Sequence, residues 1–460
     1  MAQAEQVEVL VLGSGAGGKL LAWHMAKAGR HAATVERKWI GGSCPNINCL
    51  PSKNEVKSAE VADIVRHAAA FGTAATAVRT DMARVLARKR KMVDGLVAMH
   101  LEQYRASGAE LILGEARFIG PRTVEVALND GGTRRLSGDR VFLNLGTRPF
   151  VPPVPGLAGA ALTNIELLEL DRAPEHLVVL GGGYVGLEFA QAYRRFGSRV
   201  TLVERGPQLL AREDPDVADA LHHLFVDEEI EVLLGAEALR VEGRGGSLRF
   251  VVRTDGVERA IAASDVLVAT GRTPNTAGIG LDIAGVQLDA RGYIAVNDRL
   301  ETTAPRVWAI GECAGSPQFT HVSVDDFRVI RDNLAGGNRT TRDRLAPFCI
   351  YTDPPLARVG LNEVEARRQG VPVRVATLPV REILRTWTTG ETRGFMKALV
   401  AGERDDILGF TMFGADAGEV MAVVQTAMLA ALPFTALREA ILTHPTMAEG
   451  LGDLFGQIAA

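Results

Sequence analysis

One short pattern occurs twice in this chain, and it constrains the fold more than any other feature. Val7-Glu8-Val9-Leu10-Val11-Leu12 is an apolar run of strand length that leads straight into Gly13-Ser14-Gly15-Ala16-Gly17-Gly18. A helical pattern follows from Lys19 to Ala28, then a second strand-like run from His31 to Val35, then Glu36. Gly13, Gly15 and Gly18 fit a dinucleotide fingerprint, which needs a tight turn, close approach of backbone to pyrophosphate, and tight helix-to-strand packing. An acid at the end of the second strand can accept hydrogen bonds from ribose hydroxyls. The same order recurs as strand Leu177–Leu180, Gly181, Gly183 and Gly186, helix Leu187–Phe196, strand Arg199–Val203 and Glu204. Positions 13 and 36, and positions 181 and 204, give one internal spacing of 23 residues. Two independent motifs with the same spacing predict two Rossmann-like dinucleotide-binding domains in an α/β chain.

The first copy delivers the chain directly to Gly41-Gly42-Ser43-Cys44-Pro45-Asn46-Ile47-Asn48-Cys49-Leu50-Pro51-Ser52-Lys53. Two cysteines stand between a glycine pair that permits close backbone approach and a proline that can open a helix. If Pro51 opens one, Cys49 lies at its N-terminal end, where unpaired amides and the macrodipole favour a thiolate. A structural staple or two buried thiols would also fit two cysteines. A staple across so short a loop restricts the unfolded chain little, which favours a redox-active pair. The chain has four cysteines, and only Cys44 and Cys49 are close in sequence. Cys313 and Cys349 read as buried core thiols rather than metal ligands, since no second ligand lies at a usual spacing.

With 460 residues, 47% of them hydrophobic, there is material for about three domains. Strand Arg140–Leu145 ends in the turn at Gly146, and the proline-rich stretch 151–156 suits an extended connection. The second unit closes alike, with strand Asp265–Ala269 and a turn at Gly271 and Arg272. The expected units are therefore 1–150, 151–272, a central segment 273–345 with strands at Tyr293–Val296 and Val307–Ile310, and 346–460. In the last, strands at Phe348–Thr352, Val373–Pro379, Phe395–Val400 and Ile407–Phe413 precede helices at Ala417–Leu432 and Phe434–Ile441, the block order of an α+β domain. A net charge of −4 gives no reason to expect nucleic acid or an anionic membrane as partner. Arg88-Lys89-Arg90-Lys91 falls in a helical pattern and reads as a solvated face. The first apolar run is too short for a signal peptide or a membrane span, so a cytoplasmic protein is expected.

In these motifs the chain resembles the pyridine nucleotide-disulfide oxidoreductases, the flavoenzyme family of glutathione reductase, dihydrolipoamide dehydrogenase and mercuric reductase. The most specific matches are the Cys44–Cys49 stretch with Gly42, Ser43 and Pro51-Ser52-Lys53, and the segment His444-Pro445-Thr446 with Glu449. The resemblance covers the whole chain and is nearest to mercuric reductase-like members. It implies FAD on the first fingerprint, with Ala116 and Gly146 also in contact, and a nicotinamide cofactor on the second. It places Gly311 and Glu312 at the flavin's ribityl or pyrophosphate region, and Phe319 and Thr320 beside its ring. The family usually has Asp where Glu312 stands. Cys49 would be the flavin-side thiolate and Cys44 the thiol that meets substrate. Lys53 and Glu188 would form a buried ion pair near the flavin N5, Tyr184 would gate the nicotinamide pocket, and the C-terminal domain would make a homodimer. His444, oriented by Glu449, would act as acid and base in the partner's active site.

Glu204 suits the free 2′-hydroxyl of NADH, although Arg205 and Arg212 are near enough in sequence to admit NADPH. The expected activity is reduction of a disulfide or a thiophilic metal ion, with a lipoamide dehydrogenase-type enzyme or a flavin-bound redox sensor as alternatives. Typical mercuric reductases carry a C-terminal cysteine pair, which the tail Leu451–Ala460 lacks, so efficient Hg(II) reduction is not expected, while another thiophilic ion such as Cu(II) stays open as an acceptor at Cys44 and Cys49. Pro45 and Asn48 depart from the commonest family loop and are expected to reshape access to Cys44.

Overall fold

A computed structural model describes residues 4–458. The chain opens with β1 (Glu5–Leu12), α1 (Ala16–Lys27), β2 (Ala32–Glu36), the one-turn α2 (Ser43–Asn46), α3 (Cys49–Arg66) and α4 (Met82–Ser107). Three longer strands follow, β3 (Glu110–Gly120), β4 (Thr123–Leu128) and β5 (Thr133–Leu143). β1 pairs in parallel with β2 on one side and β5 on the other, and β2 pairs in parallel with β3. β4 runs antiparallel to β3 and β5. Val9 to Leu12 are all buried, as a central parallel strand covered on both faces requires, so the run is continuously apolar rather than alternating. Both fingerprint helices begin inside the glycine motif, at Ala16 and, in the second copy, at Tyr184, earlier than the expected Lys19 and Leu187. α3 likewise begins at Cys49, so Pro51 is its third residue rather than its first. That is tolerated because the first four amides of a helix have no carbonyl partner within it.

β6 (Thr147–Pro149) leaves the first sheet for a second unit: β7 (Ala161–Leu162), α5 (Asn164–Leu167), β8 (His176–Leu180), α6 (Tyr184–Phe196), β9 (Arg199–Val203), α7 (Pro215–Asp227) and β10 (Glu231–Leu233). An antiparallel insert, β11 (Glu237–Arg244), β12 (Ser247–Thr254) and β13 (Val257–Ala263), precedes β14 (Asp265–Val268). The parallel sheet has the order β10-β9-β8-β14-β7. β15 (Arg272–Pro274) then pairs antiparallel with β6, so the outgoing and returning connections between the two units lie side by side. β16 (Val307–Ala309) rejoins the first sheet beside β5, and α8 (Thr320–Leu334) follows. The strand expected at Tyr293–Val296 is reduced to isolated bridges at Ile294 and Val296.

The third unit is an antiparallel sheet. It comprises β17 (Phe348–Ile350), β18 (Leu356–Gly360), α9 (Glu363–Gln369), β19 (Val373–Pro379), α10 (Leu384–Thr389), β20 (Phe395–Ala401) and β21 (Ile407–Phe413), closed by α11 (Ala417–Leu429), α12 (Phe434–Arg438) and α13 (Gly450–Gly456). The strand order is β17-β18-β21-β20-β19. Phe410, Met412, Val424, Phe434, Leu451 and Phe455 form its buried core. It is tied to the second unit by buried charges: Arg358 pairs with Glu213, and Lys397 lies 3.2 Å from Asp214. The basic run in α4 is not uniformly solvated as expected. Lys89 is buried against the Leu168 carbonyl and Glu169, because α4 packs there on the second unit.

Candidate active site

The two fingerprints are built alike down to single bonds. Glu36 accepts from the Ser14 amide at 2.8 Å, and Glu204 accepts from the Gly182 amide at 2.7 Å. Each acid also takes an amide two residues further on, Lys38 at 2.9 Å and Gly206 at 2.6 Å. Both carboxylates are therefore locked at the ends of their strands, beside the helix N-termini. Neither α1 nor α6 has a side chain of its N-cap residue bonded to the first turn, and the positive end of each dipole faces the glycine loop, where an anion is favoured. The glycines fall into two kinds. A Cβ at Gly13, Gly15 or Gly18 would strike Asn144 or the loop itself, and one at Gly186 would lie 2.0 Å from the Gly181 carbonyl. A Cβ at Gly183 would meet no protein atom within 4 Å, and its φ of −90° makes no demand for glycine. The missing side chain there leaves a cradle open at the start of α6, as a bound pyrophosphate needs.

The cysteine loop is stacked on the first fingerprint. Gly42, at φ 85°, is so near Gly15 that a Cβ would lie 2.5 Å from the Gly15 Cα. Asn46 donates to the carbonyls of Ile40 and Gly42, closing the turn that carries Ser43 and Cys44. Cys44 and Cys49 are free thiols that hydrogen-bond each other, and the Cys49 sulfur is 3.4 Å from Thr320 Oγ1 at the start of α8. The Cys44 bond, the Thr320 hydroxyl and the Lys53 ammonium together lower the Cys49 thiol to about 6, against burial and the Glu312 carboxylate. The same bond and burial push Cys44 well above the usual thiol range. The pair thus concentrates its negative charge on the sulfur at the helix start. Pro45 is buried, and Asn48 Oδ1 accepts from Asn164 of α5 at 2.8 Å, so both departures from the family loop serve packing of the loop on its neighbours.

Lys53 and Glu188 form the expected ion pair at 2.5 Å, with Glu188 buried but Lys53 only half-buried in the single chain. The Tyr351 amide donates to the other Glu188 oxygen, and the Lys53 ammonium lies 4.9 Å from the Tyr351 ring centroid. Tyr184, Phe319 and Phe348 stack nearly parallel, with centroids 5.3 to 6.1 Å apart. Glu312 turns its carboxylate to Thr147 Oγ1 and to Arg272 Nε, the latter at 3.3 Å. Gly311, at φ 73°, donates to Asp326 at 2.7 Å, while Gly146 and Gly271 occupy left-handed turns at the ends of β5 and β14. Ala116 sits within the β3–β4 ladder opposite Val126, just beyond the point where β3 pairs with Glu36. His444 Nδ1 is 2.8 Å from Glu449 Oε2, and the ring is largely exposed. Among the described residues, no hydrogen bond or ion pair joins them to Cys44 or Cys49.

Several residues that shape this site carry no sequence signal. Asn144 Oδ1 accepts from the Gly18 amide at 3.1 Å, and its Nδ2 donates to the Ile310 carbonyl at 2.9 Å. Ser323 Oγ accepts from the Gly17 amide. These side chains sew α1 to β16 and α8 across more than a hundred residues of sequence. A polar residue after strand β5 would have been the sole hint of Asn144.

Two fingerprints, a thiol pair on the first and an antiparallel C-terminal sheet define a flavoprotein disulfide reductase architecture. The chain belongs to the pyridine nucleotide-disulphide oxidoreductases: the family model matches residues 7–326, and the model of the family's dimerisation domain matches 346–455. It is 36% identical to the probable pyridine nucleotide-disulfide oxidoreductase RclA of Escherichia coli, over 98% of this chain and 99% of that protein. A mercuric reductase of Lysinibacillus sphaericus is 32% identical, over 97% of this chain and 82% of that protein. A solved Cu(II) complex of the Escherichia coli RclA, described as an HOCl-induced flavoprotein disulfide reductase, superposes with a TM-score of 0.90 at 35% identity, covering 99% of this chain and 100% of that one. No helix among the described residues is long and apolar enough to cross a membrane.

Proposed function

We propose that this chain is a cytoplasmic, homodimeric, FAD-dependent reductase that takes electrons from NADH and delivers them through Cys44 and Cys49 to a thiophilic metal ion, with Cu(II) the first candidate and small disulfides the second. The observation that carries the reading is the thiol pair itself, stacked on the first fingerprint through Gly42 and Gly15, with Cys49 at the start of α3 and 3.4 Å from Thr320 Oγ1. FAD, when bound, supplies the link between a two-electron hydride donor and the dithiol. Gly13, Gly15, Gly18, Glu36, Gly42, Ser43, Ala116, Gly146, Gly311, Glu312, Phe319 and Thr320 would hold it, and Lys53 with Glu188 would place charge beside its ring. Gly181, Gly183, Gly186, Tyr184, Glu204, Gly271 and Arg272 would hold the nicotinamide cofactor. Glu204, fixed by two amides, accepts from a free 2′-hydroxyl and repels a 2′-phosphate, which favours NADH over NADPH; Arg205 and Arg212 are exposed.

Cys49 keeps the thiolate on the inner side, and Cys44 is the thiol that meets the acceptor. Two soft sulfurs in one turn suit a thiophilic ion, and a solved RclA relative is a Cu(II) complex. His444, paired with Glu449 and exposed at its ring, would serve the partner subunit's Cys44 as proton acceptor. The test is steady-state NADH and NADPH oxidation by the holoenzyme with Cu(II), Hg(II), oxidised lipoamide and glutathione disulfide. Cu(II)-dependent oxidation, faster with NADH, is expected. Turnover with none of these acceptors would leave a redox sensor as the better account.

A further inference from the structure

Lys19, the first residue after the fingerprint glycines, reaches from α1 to both the cysteine loop and α4. Its Nζ donates to the Gly41 carbonyl at 3.2 Å and lies 2.5 Å from His100 Nε2. His100 Nδ1 is 2.6 Å from the Leu96 carbonyl. A carbonyl can only accept, so Nδ1 carries the ring proton and Nε2 offers a lone pair to the Lys19 ammonium. The result is a lysine cation seated on a neutral imidazole. Trp23 stacks on the same ring, with centroids 6.0 Å apart and 25° between planes. The imidazole also floors the loop, since a Cβ at Gly41 would lie 2.9 Å from His100 Nδ1 and 3.1 Å from Pro45 Cγ. Lysine, imidazole and the Gly41–Pro45 turn therefore pack as one unit, and Cys44 lies within that turn.

We propose that Lys19, held by His100 and the Gly41 carbonyl, is a positioning residue for the substrate side of the thiol pair: its ammonium draws the pair's negative charge toward Cys44. The inference rests on the reading above, in which Cys44 is the thiol that meets the acceptor. A thiolate is the form that ligates a soft metal and that attacks a disulfide, so the cation serves either acceptor. Lys19 Nζ contacts His100 of α4 and the Gly41 carbonyl of the loop that carries Cys44, and the titratable groups that act on it are His100 and Cys44. Burial lowers the lysine to about 8, and the Cys44 charge works against that. Around Cys44, the bond to Cys49 and burial raise the thiol, while Thr320 and Lys19 pull it down; Lys53 and Glu312 act on Cys49. Removing the lysine charge must then raise Cys44 further. This supply of charge comes from the same subunit as the thiol, whereas His444 is proposed to arrive from the other.

The test is the pH profile of iodoacetamide alkylation of dithionite-reduced holoenzyme, with the modified cysteine identified by peptide mass spectrometry. In the parent, Cys44 is the residue modified. Lys19→Met raises the midpoint by about one pH unit, Lys19→Arg restores it, and His100→Leu, which leaves the lysine but removes its seat, raises it part of the way. Alkylation of Cys49 in place of Cys44 would remove the substrate-side assignment on which both readings stand. Alkylation of Cys44 with one midpoint in parent, Lys19→Met and His100→Leu would overturn the role of Lys19 alone. If Lys19→Met does not retain flavin, His100→Leu decides by itself, an unmoved midpoint counting against the proposal.

Discussion

Cys49 is the residue whose chemistry the fold alters most. A thiol of ordinary reference value near 9.0 is brought to about 6 by the Cys44 hydrogen bond, the Thr320 hydroxyl and the Lys53 charge. Because the value is lowered, the thiolate persists through neutral pH and is lost only as pH falls through about 6. Ultraviolet thiolate absorbance of the reduced protein should therefore titrate near that pH. Lys53→Met and Thr320→Val should each move the midpoint up by about one pH unit, and Glu312→Gln should move it down. A midpoint near 9 in the parent would show that these neighbours do not act on Cys49. Glu36, Glu204 and the two cysteines were legible in the sequence because each is specified within one short segment: an acid at a fixed interval from a glycine, a thiol pair between a glycine pair and a helix start. The partner of each was not always legible. Lys89 in a basic run looks solvated until the second unit is known to cover it.

The elements that hold the cofactor loops are joined by side chains that no local pattern announces. Asn144 follows β5 and receives the start of α1 on one side and the end of β16 on the other. Its replacement by Leu removes partners from the buried Gly18 amide and the Ile310 carbonyl, at a cost of about 1–3 kcal/mol. Urea unfolding of the apoprotein, with flavin retention measured beside it, checks this; an unchanged midpoint would mean that the two bonds contribute nothing net. Strands with a continuous apolar run leading into a glycine motif or an acid, such as β1, β8 and β9, were readable from the sequence, as were the long helix α4 and β19 to β21. The insert β11–β13, α7, β18 and α9 were not, since none of them carries a motif and each takes its place from packing that no local pattern announces. The starts of α1, α3 and α6 were misplaced by two or three residues because glycine and cysteine at a helix start have low helical preference and gain it from free amides there.

In the molecule as a whole, the third unit is proposed to supply a residue to another copy. His444 and Glu449 are paired, exposed at the ring and unconnected by any described bond to the thiols of their own chain, while the C-terminal 346–455 match the family's dimerisation domain. Mixing Cys44→Ser with His444→Ala subunits should then restore turnover that neither variant has, since one site in each mixed dimer is complete. Random reassortment gives about a quarter of the parent's activity, and no recovery would place His444 outside the partner's site. The order of fingerprint, thiol pair, second fingerprint and C-terminal sheet was legible from end to end, whereas the acceptor was not, because nothing in the chain names what reaches Cys44. The most direct measurement is Cu(II)-dependent NADH oxidation by Cys44→Ser holoenzyme with its flavin content matched to the parent. The account predicts a fall to the rate without acceptor; a parental rate would show that electrons leave the flavin without passing through the thiol pair.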